Sequence, residues 1–270
     1  MSVLSRRGVR LGLAVLTARV VGSAGGVGSA ALAAAPLPAA ATGAPSAPAS
    51  LCPPTGTAPV RTAPGTGRTV ALTFDDGASV YTPRILAVLR AARVRATFFD
   101  TGAHDAANPG YARQIVAAGQ LLANHSWSHP NLATLPGSAQ GAELDRTSAV
   151  QHQLTGVTQC FFRPPYGSYN AATLIAAHAR RMTVVMWSVD TGDWRQSPRL
   201  SGYWTAAIIR QAGYGLRQSH PIVLMHSGKA SHEPERQVAA ERENTIAALP
   251  HIIAMYRAAA YRLVDLTGRS

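Results

Sequence analysis

A chain of 270 residues, 47% hydrophobic and 14% charged, can bury one enzyme-sized core and still leave a tail. Its formal charge is +12, yet one lysine, Lys229, stands against 24 arginines and no basic stripe is interleaved with aromatics, which argues against a nucleic-acid-binding protein. Neither internal repeats nor a separate binding domain mark a structural or adhesive wall protein.

The first fifty residues carry no acid and do not read as part of a fold. Arg6, Arg7 and Arg10 precede the apolar stretch 11–21, and Ala33, Ala34 and Ala35 supply small residues for cleavage, the order of a secretory signal over 1–35. Arg19 interrupts that stretch, Ser5-Arg6-Arg7 also resembles a twin-arginine signal, and an uncleaved membrane anchor stays open as an alternative. Residues 36–67, dominated by Ala, Pro, Gly, Ser and Thr, predict an extended linker, with the folded domain over 68–270. In an exported chain the two cysteines, Cys52 and Cys160, are a candidate disulfide tying linker to domain, against a free buried Cys160. The expected location is extracellular, in or near the cell wall, and a monomer is expected.

Strand-like apolar runs follow at 69–74, 95–99, 120–123, 160–163, 183–189, 221–225 and 261–266, seven in all. Helical signals lie between them. Thr82-Pro83 opens one helix and Asn108-Pro109 another; further helices are predicted over 138–155, 170–178, 203–212 and 244–258, the last kinked by Pro250. Strand alternating with helix predicts an α/β fold with a parallel sheet, closed as a barrel or open and doubly wound. In either case the chemistry gathers where strands end.

Polar motifs sit at those ends five times: Asp75-Asp76-Gly77, His125-Ser126-Trp127-Ser128-His129, Arg163 to Gly167, Asp190 to Trp194, and His226. Two adjacent carboxylates repel, so keeping both ionised calls for a cation, and one can ligate while the other handles protons. His125 and His129, four apart, fall on one face whether the segment is a helical turn or extended, and Pro130 argues against a continuing helix. Asp76, His125 and His129 make a three-ligand set that leaves room for water and substrate, as in a catalytic site. Zinc fits it first, with cobalt or another late transition ion as substitute.

The same residues resemble a family. Thr73 to Gly77, His125 to His129, Arg163-Pro164-Pro165-Tyr166-Gly167, Asp190-Thr191-Gly192-Asp193-Trp194 and Leu224-Met225-His226 look like the five ordered motifs of the polysaccharide deacetylases, carbohydrate esterase family 4 with a NodB-type domain. The resemblance spans about 68–267 and implies a distorted (β/α) barrel of seven strands. It implies Asp75 as general base, Asp76, His125 and His129 around one divalent metal, and His226 as general acid. It also implies the backbone N–H of Tyr166 as an oxyanion donor, Arg163 orienting the base and paired with Asp190, and Trp194 and Leu224 as walls for the acetyl methyl. Ala78 departs from the family pattern, standing where a proline is common. Residues 229–242 form a longer polar segment than a compact barrel requires, read as a solvated loop in preference to a lid. The substrate implied is an acetylated polysaccharide, N-acetylglucosamine units of peptidoglycan or a chitin-like polymer. An O-acetyl esterase acting on xylan is the near rival, and a non-catalytic wall-binding module the distant one.

Overall fold

The computed structural model describes Cys52, residues 56–195 and residues 201–270; the expected export signal and most of the expected linker lie outside them. Seven strands line up in parallel in the order β5-β4-β3-β2-β1-β7-β6, where β1 is Thr69–Gly77, β2 Thr97–Asp100, β3 Leu121–Asn124, β4 Phe161–Phe162, β5 Thr183–Val184, β6 Val189–Asp190 and β7 Ile222–His226. An eighth, β8 (Arg262–Leu263), pairs with the start of β1. The sheet curls into the expected distorted (β/α) barrel, with α1 (Thr82–Ala92), α3 (Pro109–Ala117), α4 (Gly137–Thr155), α5 (Ala171–Ala179), α6 (Gly202–Gly213) and α7 (Glu243–Ala258) in the connections. A short helix not expected from the sequence, α2 (Gly102–Ala107), follows β2, and α7 continues through Pro250.

Alternation along β1 explains the two sides of this sheet. Val70, Leu72 and Phe74 pack with Ile85 and Leu89 of α1 and Leu249, Ile252 and Tyr256 of α7, the outer core. Ala71 packs instead with Phe99, Ala123, Phe161, Val185 and Ile222, a cluster without helix residues that fills the inner face. Thr73 and Asp75 share the inner side with Ala71, and so does Arg163, two residues beyond Phe161. Every residue of β1 is buried, as a central parallel strand covered on both faces demands.

The run 183–189 does not form one strand. It divides into β5 and β6, which lie at opposite ends of the strand order, with Val185 to Ser188 crossing between them. Upstream of Arg68 the chain already joins the sheet: Val60 bridges to Val185, Thr62 bridges to Pro221, and Ala63 N–H donates to His220 O at 2.9 Å. Cys52 and Cys160 are joined in a disulfide, with Cα atoms 5.0 Å apart. Among the described residues no helix is long and apolar enough to cross a membrane.

Candidate active site

Two consecutive strand residues normally point to opposite faces. Asp75 and Asp76 nevertheless line one cavity, because the β1–β2 register shifts between Asp75 and Gly77 and Asp76 takes a left-handed backbone with φ 64°. His104 Nδ1 lies 3.0 Å from Asp76 O and helps hold that bulge. Gly77 is required next to it, since a Cβ there would fall 2.1 Å from Asp100 Oδ1.

The histidine pair reaches the same cavity by neither of the expected conformations. After β3 the chain forms a tight loop in which Ser126 and His129 have φ 65° and 59°. Glu143 of α4 locks it, accepting from Trp127 N–H and Ser128 N–H at 2.8 Å each and from Ser128 Oγ at 2.9 Å. His129 Nε2 then lies 3.1 Å and His125 Nε2 3.4 Å from Asp76 Oδ1. One donor atom from each of Asp76, His125 and His129 lies within 4.8 Å of the others, and all three residues are buried.

This set suits a divalent cation on grounds internal to the structure. Asp76 Oδ1 is buried with no hydrogen-bond donor, an arrangement that costs free energy unless a positive partner completes it. His125 Nδ1 lies 2.7 Å from Arg163 O, a contact in which the ring donates and Nε2 is left with its lone pair toward Asp76. Burial alone would raise the Asp76 carboxyl, but the imidazoles of His129 and His125 hold it well below the usual carboxylate range.

Arg163 lies wholly buried under the site. Its Nη1 donates to Asp75 Oδ1 at 2.7 Å and Thr73 Oγ1 at 2.9 Å, Nε donates to Val185 O and Nη2 to Met186 O, and the guanidinium sits 4.2 Å from the Phe99 ring centroid. These four hydrogen bonds satisfy a charge that would otherwise be prohibitive to bury. The expected pairing of Arg163 with Asp190 is not what the structure places there. Asp190 Oδ1 accepts from Gly192 N–H at 2.8 Å within its own loop, and the carboxylate on Arg163 is Asp75.

The second acid of that motif, Asp193, was not singled out from the sequence and holds His226. Its Oδ1 lies 2.7 Å from His226 Nδ1, its Oδ2 accepts from His226 N–H at 2.8 Å and from Thr245 Oγ1 at 2.9 Å, and it is fully buried. Burial works to lower the His226 imidazole, but the Asp193 carboxylate outweighs it and raises the ring to about 9.

A cavity of about 350 Å³ joins these groups. Asp75, Asp76, His125, His129, Tyr166, Asp190, Trp194, Leu224 and His226 line it, together with Trp187, Glu233 and Val238, which the sequence did not single out. Arg163 is the one expected site residue beneath the cavity rather than on its wall. Tyr166 stands at the rim, half exposed, with φ 59° and its hydroxyl 3.2 Å from His232 Nε2.

A polysaccharide deacetylase family profile matches residues 62–185. A chitooligosaccharide deacetylase of Sinorhizobium fredii is 34% identical over 199 residues, 72% of this chain and 89% of that protein. A peptidoglycan-N-acetylglucosamine deacetylase of Bacillus cereus is 34% identical over 60% of this chain and 57% of its own length, so the chain spans little more than half of it. Among solved structures, a family 4 carbohydrate esterase from Streptomyces lividans in complex with acetate superposes with a TM-score of 0.62 at 33% identity, covering 75% of this chain and 96% of that one. A pseudoenzyme of the same esterase family from Bacillus anthracis superposes with a TM-score of 0.66 at 29% identity, covering 78% and 68%. The fold by itself therefore does not establish catalysis; the reacting groups must.

Proposed function

Because the chain belongs to the polysaccharide deacetylase family, we propose that it is an exported, metal-dependent hydrolase that removes acetyl groups from N-acetylglucosamine units of a cell-wall or chitin-like glycan. The observation that carries this reading is the meeting in one cavity of an anchored carboxylate, a three-residue metal set and a protonated histidine.

Asp75 is the base. Arg163 fixes Oδ1, so Oδ2 is the oxygen turned toward the triad, 3.7 Å from His125 Nε2, where it can take the proton of an attacking water. A divalent cation held by Asp76, His125 and His129, zinc first and cobalt as substitute, would supply Lewis acidity to the acetyl carbonyl. The Tyr166 backbone N–H, at the rim, is the proposed donor to the developing oxyanion. His226 is the acid: with Nδ1 committed to Asp193, Nε2–H is the proton passed to the departing amine as the C–N bond breaks. Trp187, Trp194, Leu224 and Val238 form an apolar wall suited to the acetyl methyl.

The His226 protonation also favours an amide over an ester. An amine anion cannot leave without a proton, whereas an alkoxide demands far less of an acid, and the Asp193 carboxylate favours the protonated ring that an amide requires. In contrast to a non-catalytic binding module, the chain keeps a base, three ligands and an acid.

The test is acetate release by the full chain from N-acetylglucosamine oligomers, peptidoglycan and acetylated xylan, with chelator and after zinc or cobalt is restored. Chelator-sensitive release from the amide substrates, restored by metal, is the expected outcome. Release from xylan alone would replace this reading with the O-acetyl esterase, and no release from any substrate by metal-loaded protein would overturn catalysis.

A further inference from the structure

The two histidines of the triad differ in what holds their outer nitrogen. His125 Nδ1 rests on Arg163 O, a backbone carbonyl fixed by the barrel. His129 Nδ1 is buried and has no hydrogen-bond partner. A carboxylate oxygen, Glu233 Oε1, lies 3.7 Å from it, and the other oxygen of that carboxylate, Oε2, is buried with no hydrogen bond of ordinary geometry. The buried Nδ1 and this largely buried carboxylate are separated by less than an ångström beyond an ordinary hydrogen bond, and the same carboxylate also acts on the Tyr166 hydroxyl.

Glu233 is brought there by the polar segment after β7, which is solvent-exposed at Ser231, His232 and 235–237, as expected of a solvated loop, but turns Glu233 inward over the triad as a strap. Lys229 Nζ donates to Ala230 O at 3.1 Å and Glu233 O at 2.6 Å, and Glu233 N–H closes a turn on Ala230 O at 3.1 Å. Farther on, Ala239 N–H donates to Trp194 O at 3.0 Å, and the buried Arg242 returns its Nε to Gly228 O at 3.0 Å. Ends pinned in this way leave the middle little freedom, and the middle carries Glu233. Its side chain is 9% exposed, unusual for a glutamate on a surface segment.

We propose that Glu233 is the outer carboxylate of the metal centre: it accepts the Nδ1–H of His129, fixes the tautomer that presents Nε2, and makes metal affinity depend on the strap. A carboxylate behind a ligating imidazole orients the ring and raises its basicity. Here the two imidazoles are held differently, one by the barrel backbone and one by a side chain on the connection after β7. Glu233 acts through His129 and touches no reacting atom, so it is a positioning residue. The inference rests on the metal-site part of the function proposed above and not on the identity of the glycan.

Zinc affinity of the full chain, measured by competition with a chromophoric chelator, tests it without reference to activity. Replacing Glu233 by alanine should weaken zinc binding by about 10–100-fold, and Glu233→Gln, which keeps the shape and an acceptor but not the charge, by a smaller measurable factor. His232→Ala, on the adjacent strap residue whose Nε2 meets the Tyr166 hydroxyl and whose ring lies 6.0 Å from the His129 ring, centroid to centroid, should leave zinc affinity unchanged. An unaltered metal-free thermal midpoint shows that the variants fold; should Glu233→Ala fail to fold, the isosteric glutamine variant decides. Wild-type zinc affinity in a folded Glu233 variant, or an equal loss in His232→Ala, overturns the assignment. Zinc binding that depends on Glu233 in a chain that deacetylates no glycan would leave this inference standing and sink the proposed reaction. Deacetylation with zinc affinity indifferent to Glu233 would do the reverse.

Discussion

His226 holds its proton against its own surroundings. Burial favours the neutral ring, and the carboxylate of Asp193, on Nδ1 and on the backbone N–H, with a smaller contribution from Asp76, brings the imidazole up to about 9. A general acid works in its protonated form, so activity must fall as pH rises through that value, and a dication nearby can only move the falling limb lower. Asp193→Asn keeps a hydrogen-bond acceptor and removes the charge. The expected result is a kcat lowered by about 10- to 100-fold at neutral pH, a falling limb displaced to lower pH, and a KM nearly unchanged. A pH profile of kcat in zinc-saturated protein reads all three, and a limb that stays in place would remove Asp193 from its positioning role. The carboxylate on Arg163 calls for a separate account, because the resemblance implied Asp190 and the structure has Asp75. Motif four contains two acids three residues apart, and sequence alone does not say which turns toward a neighbour. The 3-10 turn of Asp193 to Arg195 decides it, placing Asp193 under His226 while Asp190 caps its own loop.

At the scale of elements, the end of β2 carries a buried carboxyl pair behind the site. Asp100 closes that strand and Asp105 lies in α2 behind it; the two carboxyls share a proton that Asp100 holds and donates to Asp105, and neither Asp100 oxygen receives a hydrogen bond from another of the described residues. Gln151 Nε2 donates to Asp105 Oδ2 at 2.8 Å. Burial first, and then the charge of Asp105, push Asp100 well above the usual carboxylate range, while burial raises Asp105 to about 7. A folded-state pKa above the unfolded one means that the pair's stabilisation is complete below the ordinary carboxyl pKa and is lost as pH rises through about 7. Asp105→Asn supplies a permanent donor to Asp100 and keeps an acceptor for Gln151. It should raise stability at mildly alkaline pH by about 1–3 kcal/mol and flatten the pH dependence of the thermal midpoint; a midpoint lowered at alkaline pH would contradict the shared-proton arrangement. Elements of ordinary length were legible from pattern: six of the helices begin or end within a residue or two of Pro, Asn or Gly signals, and β1 and β7 follow their apolar runs. What escaped were pieces too short to show a period, such as the two-residue β5 and β6 inside one run without turn residues. The bulge at Asp76 and the left-handed turns at Ser126 and His129 escaped as well, because they depend on Gly77 next to Asp100 and on Glu143 reaching across from α4. Glu233 was hidden for the same reason, since nothing in a polar stretch announces which carboxylate will be buried.

At the scale of the whole domain, the segment upstream of β1 is fastened to the stretch after β5 whose carbonyls hold Arg163. The reacting groups cluster where β1, β3 and β7 end, whereas the segment that includes Val60 and Ala63 packs across the region between β5 and the start of β7. The Cys52–Cys160 disulfide pins this segment just before β4, across a sequence separation of 108 residues. A cross-link over so long a loop removes much of the freedom of the unfolded chain, worth at most about 4–5 kcal/mol by loop closure. For a domain of this size that corresponds to a fall in the thermal midpoint of about 5–15 °C on reduction. Calorimetry with and without reductant, alongside a Cys52→Ala/Cys160→Ala variant, measures it; the reduced protein and the variant should melt together below the oxidised one. Because the bridge lies before β4 and Arg163 follows that strand, the loss should leave kcat and zinc affinity below the melting range unchanged. A midpoint indifferent to reduction would mean that the hydrogen bonds of Val60 and Ala63 close the barrel unaided. A loss of zinc affinity on reduction would mean instead that the N-terminal segment holds Arg163, and through it His125 and Asp75, in register.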